Sequence, residues 1–172
     1  NGRGHLFVEL NQLDAALENF NKAIEINPNF PEAYNNRGNI LNKLNRYTES
    51  IKSYDKAISI NPNFAEAYNG RATVQKDLKL YEDAHKSYEK AIKIKPNLDF
   101  MLGSLIYTKL NLCDWKSFDE NLKKIEENII KGNKSITPFS SLLVLNSPSL
   151  QKKAAEIYFK TKYNSKSTLK SF

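Results

Sequence analysis

Small and apolar side chains recur at spacings of three and four residues through the first half of the chain. Between residues 31 and 44 they are Tyr34, Gly38 and Leu41, and polar residues fill the gaps. This period predicts an amphipathic helix with one buried face. A second helix is predicted over residues 47–60. The Asn-Pro pair that follows ends it, because a residue before proline is disfavoured in the α region.

The two predicted helices belong to a repeat whose register is marked by prolines. Pro28, Pro62 and Pro96 stand 34 residues apart, and residues 65–94 repeat the pattern of the preceding hairpin. The segment before Pro28 shows the same pattern with its first few residues missing, which predicts a truncated hairpin. A fixed period of this length indicates stacked helical hairpins, each of which buries its apolar face only against its neighbours.

The repeated residues resemble the tetratricopeptide repeat family. Over residues 1–98 the chain carries Tyr-x-x-x-Gly/Ala, Tyr-x-x-Ala/Ser, Tyr/Phe-x-x-Ala and Pro, with several of these positions recurring in register in all three repeats. The resemblance implies an all-α, right-handed solenoid of helix-turn-helix hairpins. It also implies that the first helices of the hairpins line a concave groove, which binds a protein or an extended peptide.

The side chains between the packing positions of the first helices are the candidates for this groove. Most are asparagines, whose amides both donate and accept hydrogen bonds and therefore suit an extended peptide backbone. The candidate set is Asn35, Asn36, Asn39, Asn42, Lys43, Asn69, Thr73 and Lys76. The alternative is that these residues are simply solvated helix faces in an asparagine-rich chain.

Some tetratricopeptide domains hold the carboxylate end of a peptide with lysines and arginines on successive first helices. The corresponding places in this chain are Asn1, His5, Asn35, Asn36, Asn39 and Gly70. Because none of these residues is a lysine or an arginine, a clamp for a peptide carboxylate terminus is not expected.

After Pro96 the repeat decays, but its helical period continues. Residues 99–131 predict a divergent, repeat-like capping hairpin, whose second apolar stripe runs from Leu112 through Trp115 to Ile129. Residues 132–172 predict a loop with an apolar core, one extra C-terminal helix and a tail.

The divergent hairpin carries a second resemblance. Leu102-Gly103, Lys109 and Cys113-Asp114-Trp115 are followed by Pro138-Phe139, Ser147-Pro148, Leu150-Gln151 and Ala154-Ala155. This order resembles the junction between repeats and catalytic region in bacterial Spindly-like relatives of O-linked N-acetylglucosamine transferase. It implies that the chain is the arm of such an enzyme that recruits substrates or partners. The competing interpretation is an independent tetratricopeptide adaptor protein with no linked enzyme.

The chain itself is not expected to be an enzyme or to hold a cofactor. The nucleotide-sugar-binding lobes of the transferase family require a long alternation of strands and helices, and neither that alternation nor a Gly-rich phosphate loop occurs in the sequence. Two histidines and the single cysteine, Cys113, provide no metal-ligand set.

Charge and composition narrow the range of partners. The net charge of +7 comes mainly from residues 99–172, but the lysines are scattered without an arginine–aromatic stripe, so nucleic acid is not expected. No apolar run reaches transmembrane length and no signal-peptide layout is present, so no membrane partner is expected. A single cysteine suits a reducing compartment, and we predict a cytoplasmic location. Self-association through the truncated first repeat is left open.

Overall fold

The computed structural model describes the backbone of residues 2–163 and the side chains of residues 12–162. Within that range the chain forms nine α-helices and no strand, which confirms the predicted all-α repeat array. The predicted C-terminal tail lies outside the described residues. The helices are α1 (Gly2–Ile26), α2 (Pro31–Lys43), α3 (Tyr47–Ile60), α4 (Ala65–Asp77), α5 (Tyr81–Ile94), α6 (Met101–Asn111), α7 (Phe118–Ile130), α8 (Pro138–Val144) and α9 (Pro148–Tyr163).

The contacts divide the chain into two compact units, residues 1–94 and residues 95–172. The first unit contains the hairpins α2–α3 and α4–α5, which correspond to the second and third sequence repeats. The division falls four residues before the predicted end of the repeats at residue 98. Residues 95–98, which follow α5, therefore group with the divergent region.

Both hairpins turn in the same way, at equivalent residues. Asn45 and Lys79, 34 residues apart, have φ angles of 58° and 61°, in the left-handed region. The next N–H donates back into the first helix, from Arg46 to the Leu41 carbonyl at 2.8 Å. A left-handed residue that closes the last turn is a common helix ending, and asparagine tolerates it better than most side chains.

The two hairpins pack around one tyrosine. Tyr54 on α3 is 1% exposed, and its ring lies against Gly38 of α2 and Gly70 of α4. A Cβ placed on Gly38 would lie 2.8 Å from the ring, and one on Gly70 would lie 2.5 Å from it. Both positions therefore require glycine, because a real Cβ does not approach so closely. The position of Gly38 is Gly4 in the first repeat and Ala72 in the third, so this close approach explains why an aromatic residue and one small residue recur in register.

The first repeat differs from the prediction of a truncated hairpin. Residues 2–26 form the single helix α1, with no turn at Asn11, the position equivalent to Asn45 and Lys79. A hairpin turn is favourable when the helix before it buries an apolar face against the helix after it. In α1 the helical backbone instead continues through this position, and each further helical residue adds one backbone hydrogen bond.

The second unit is built by a different arrangement. Its core joins residues from α6 to α9, including Ile106, Ile125, Ile129 and Ile136. The segment after α7 crosses the start of α6, where the Phe100 N–H donates to the Lys134 carbonyl and the Gly103 N–H donates to the Ser135 carbonyl. These carbonyls satisfy N–H groups at a helix start, which have no partner within their own helix.

Two predictions for the second unit need correction. The predicted loop after residue 132 contains α8, which begins at Pro138 with the Thr137 hydroxyl accepting a hydrogen bond from the Ser140 N–H. Proline at the first helical position and threonine at the cap are both favourable helix starts. Trp115 belongs to the predicted apolar stripe of the second helix, yet it precedes α7 and is 63% exposed, with its ring in edge-to-face contact with Phe118.

Candidate peptide-binding site

All eight candidate residues lie on α2 and α4, the first helices of the two hairpins, and these helices contact each other. Asn35, Asn39 and Asn42 of α2 are equivalent, after a shift of 34 residues, to Asn69, Thr73 and Lys76 of α4. Asn36 and Lys43 complete the set on α2. We call the surface formed by these eight residues the α2–α4 face.

The eight side chains differ in their exposure. Asn36, Asn39 and Lys43 are exposed, and they share one side of α2 because they are spaced by three and four residues. The half-buried members are Asn42, Asn69, Thr73 and Lys76.

Asn35 departs from the picture of a solvated helix face. It is 8% exposed, its Nδ2 donates weakly to the Asn36 Oδ1 at 3.4 Å, and its own Oδ1 is buried with no hydrogen-bond partner within the described part of the chain. A buried carbonyl oxygen without a partner costs free energy, and most such atoms in proteins are satisfied.

Two tyrosines reach the face from the second helices. The Tyr54 hydroxyl donates to the Asn39 Oδ1 at 2.8 Å, and the Tyr88 hydroxyl lies 3.3 Å from the Thr73 Oγ1. The sequence analysis assigned Tyr54 to the core alone. One signal for its second role was available: Gly70 stands at the position where the preceding repeat has Asn36, which leaves room for a large ring beside it.

The face carries more hydrogen-bond donors than acceptors. The amide nitrogens of Asn36 and Asn39 have no hydrogen-bond partner among residues 12–162, and Lys43 makes no ion pair there. Lys76 is paired with Asp77 at 2.5 Å. Burial raises the pKa of Tyr54 to about 12, so its hydroxyl stays protonated and able to donate at neutral pH.

Arginines fix the first helices against the second. The Nε of Arg37 donates to the Ser53 hydroxyl at 3.1 Å, and the Nε of Arg71 donates to the Ser87 hydroxyl at 3.2 Å. Arg71 also pairs with Asp55 of the preceding repeat at 2.6 Å. These contacts fix α2 and α4 against the second helices, so the backbone that carries the α2–α4 face is held in place.

Two other kinds of feature, metal-ligand groups and membrane-spanning helices, are not found in the described residues. No group of three or more His, Cys, Asp or Glu side chains between residues 12 and 162 is arranged to hold a metal ion. Of the helices described, none combines the length and the apolar character needed to cross a bilayer.

Comparison with known families identifies the repeat. A "TPR repeat" model matches residues 4–44, and a "Tetratricopeptide repeat" model matches residues 31–64 and again residues 65–98. Together these matches span residues 4–98, more than half of the chain. The chain belongs to the tetratricopeptide repeat family. No curated protein sequence matches it.

Solved structures show the same fold. The first TPR of Spaghetti (RPAP3), bound to the HSP90 peptide SRMEEVD, is 21% identical, with a TM-score of 0.58 over 65% of this chain and 89% of that one. YrrB, described as a TPR protein with an unusual peptide-binding site, is 22% identical, with a TM-score of 0.59 over 83% and 66%. The first TPR domain of human RPAP3 is 21% identical, with a TM-score of 0.58 over 67% and 91%.

Proposed function

We propose that this chain is a scaffold that binds an extended peptide, or an extended segment of a partner protein, on the α2–α4 face. The observation that carries the proposal is the row of amide groups on α2. Asn36 and Asn39 are exposed, and each amide oxygen is engaged from within the protein while the nitrogen is left without a partner there. Such groups can hydrogen-bond a peptide backbone without recognising its side chains.

The structural relatives support a peptide as the class of ligand. The first TPR of Spaghetti (RPAP3) was solved with an HSP90 peptide, and YrrB is described as having a peptide-binding site. The present chain lacks the lysines and arginines expected of a clamp for a peptide carboxylate terminus. We therefore propose recognition through the backbone of the peptide, and binding in place of catalysis.

The proposal is tested with a peptide selected on the protein. A random dodecapeptide library is displayed on phage and selected on the immobilised chain, and the recovered peptide is synthesised for calorimetry. Asn36→Ala combined with Asn39→Ala is expected to weaken its binding about tenfold or more, because each hydrogen bond contributes about 1 kcal/mol. The melting temperature should be nearly unchanged.

A matched control uses asparagines outside the face. Asn29 and Asn63 are exposed residues in the turns between hairpins, so Asn29→Ala combined with Asn63→Ala should leave the affinity unaltered. Failure to recover any peptide, or an affinity that is insensitive to the Asn36 and Asn39 changes, would count against the α2–α4 face.

A second candidate function is the recruiting arm of a Spindly-like glycosyltransferase. The specific observation is the exposed apolar surface of the second unit. Phe139, Leu142 and Leu143 of α8 are all more than half exposed, as is Trp115 of the Cys-Asp-Trp segment. Clusters of exposed apolar residues mark surfaces that contact another protein or domain. A catalytic domain that follows in the same protein would provide such a cover.

The gene sequence beyond residue 172 separates this candidate from an independent adaptor. Alternating strand and helix patterns over several hundred residues would support the transferase arm, and a stop codon would contradict it. Turnover of a uridine-diphosphate sugar by this chain alone would contradict a purely binding role. The cytoplasmic location stays a prediction, which imaging of a tagged full-length protein would check.

A further inference from the structure

This inference rests on the proposed function of the α2–α4 face and concerns the direction of its hydrogen bonds. We infer that Tyr54 is a positioning residue that holds the Asn39 amide with its oxygen inward and its NH₂ group outward. The exposed side of α2 then recognises hydrogen-bond acceptors. In an extended peptide these are the backbone carbonyl oxygens and the carboxylates of acidic side chains.

The Tyr54 ring has no freedom to move away from Asn39. It is 1% exposed and packed between Gly38 and Gly70, whose positions leave no room for a Cβ beside it. Because the ring is fixed, its hydroxyl lies in one position, 2.8 Å from the Asn39 Oδ1. Asn39 itself is exposed, so its orientation is determined mainly by this one hydrogen bond from below.

Turning the Asn39 amide over would break the hydrogen bond that the Tyr54 hydroxyl donates to the Asn39 Oδ1. With the amide nitrogen inward, the phenol oxygen would have to accept a hydrogen bond, and the hydroxyl hydrogen would lose the acceptor that it now has. A hydrogen bond of this kind contributes about 1 kcal/mol, which favours the oxygen-inward state. The two N–H groups of Asn39 consequently face outward.

The neighbouring groups on α2 have the same polarity. The Asn36 Oδ1 accepts from Asn35, which leaves the NH₂ of Asn36 directed to the partner, and Lys43 can only donate. Asn36, Asn39 and Lys43 are spaced about 4.5 and 6 Å along the helix axis. The exposed side of α2 is thus a row of three donor groups.

The equivalent position on α4 lacks this property. Thr73 replaces Asn39, and its hydroxyl donates to the Asn69 carbonyl of its own helix at 2.9 Å. Its one hydrogen is used there, and Thr73 presents no NH₂ group to a partner. An amide group that is oriented by a tyrosine therefore occurs on α2 and not at the equivalent position of α4. We predict that the carbonyl oxygens of the peptide bind to α2.

The test compares two tyrosines that make the same hydrogen bond. Tyr54→Phe removes a hydroxyl that donates to Asn39, whereas the control Tyr47→Phe removes a hydroxyl that donates to the Asn45 Oδ1 in the hairpin turn, also at 2.8 Å. With the phage-selected dodecapeptide as the probe, Tyr54→Phe should weaken binding about three- to tenfold. Tyr47→Phe should leave the affinity unchanged.

Asn39→Asp provides a second test that keeps Tyr54 intact. The carboxylate still accepts from the tyrosine but presents an acceptor to the peptide, so binding should be weaker than in Asn39→Ala. In the Asn39→Ala background, Tyr54→Phe should have no further effect on affinity, because its action passes through that amide.

The outcomes separate this inference from the proposed function. Unchanged affinity in Tyr54→Phe, a full additional loss in the Asn39→Ala background, or tighter binding in Asn39→Asp than in Asn39→Ala would each overturn the role of Tyr54 while leaving a peptide site on the face. An affinity that does not respond to Asn36→Ala with Asn39→Ala would overturn the site and this inference together.

Discussion

The two units of the chain bury their cores in different ways. In the first unit, residues of successive hairpins pack directly against each other, as when Tyr54 of one repeat fills the space beside Gly70 of the next. In the second unit, Gly103 of α6 instead meets Ile136, which belongs to the irregular segment between α7 and α8. Packing between repeats follows the sequence period, whereas packing against an irregular segment has no period to follow.

The same contrast appears at the surface. Of the large apolar side chains that are exposed in the described residues, Trp115, Ile130, Phe139, Leu142, Leu143 and Phe159 belong to the second unit. The four in the first unit lie at helix ends and in the turns between helices. The second unit thus exposes more large apolar side chains than the first, in which α2 and α4 carry the polar residues of the α2–α4 face.

The largest expected effect tests whether the first unit depends on its shared tyrosine. Tyr54→Ala should destabilise the protein by about 3–5 kcal/mol, because it removes a fully buried ring and leaves a cavity between two hairpins. Urea unfolding followed by circular dichroism measures the change. Tyr47→Ala, at the half-buried first residue of α3, is the control and should cost less. A nearly neutral Tyr54→Ala would mean that the repeats do not pack around this residue.

The pH dependence of stability provides a second test of the same packing. Burial raises the pKa of Tyr54 to about 12, while the unfolded chain has the ordinary value of 10.0. The buried neutral phenol contributes to the free energy of unfolding, and this contribution is fully present below about pH 10. It falls by about 2–3 kcal/mol as the pH rises from about 10 to about 12. Tyr54→Phe should lose less stability over this range than the wild type, as measured by urea unfolding at each pH. Identical pH profiles would contradict the burial of the hydroxyl.

Gly103→Ala is the corresponding test in the second unit. A Cβ at this position would lie 2.9 Å from the Ile136 Cα, which is backbone and not able to rotate away. We expect a loss of about 1–3 kcal/mol, with faster amide hydrogen exchange in α6–α9 than in α2–α5. Gly132→Ala is the control: its Cβ would meet nothing, so its cost is limited to the left-handed φ of 80°. Equal exchange changes in both units would argue against separate cores.

The sequence predicted the repeated part of the fold well and the remainder less well. Tyr34 and Gly38 recur as Tyr68 and Ala72, so their burial followed from the period alone. Trp115 kept the register of the repeat but not its environment, because the residues around it form an irregular turn in place of a helix.

Prediction of the candidate site met a similar limit. The eight residues of the α2–α4 face were identified from their helix positions, and the structure does place them on neighbouring first helices. The link between Tyr54 and Asn39 depends on the direction in which a side chain crosses from one helix to another. Periodicity shows which face a residue occupies, but it does not show which atom its hydroxyl reaches.

The smallest expected effect concerns how alike the two hairpins are. Arg71 pairs with Asp55, while the residue equivalent to Asp55 in the preceding repeat is Asn21, so Arg37 lacks a carboxylate at that place. Asp55→Asn should make the contact between the second and third repeats resemble the one between the first and second, and cost about 0.5 kcal/mol, because Asp55 is half exposed. Urea unfolding at low and high salt checks this, since screening should reduce the difference. A loss above about 2 kcal/mol would mean that this ion pair, and not the shared tyrosine and glycines, sets the spacing of the hairpins.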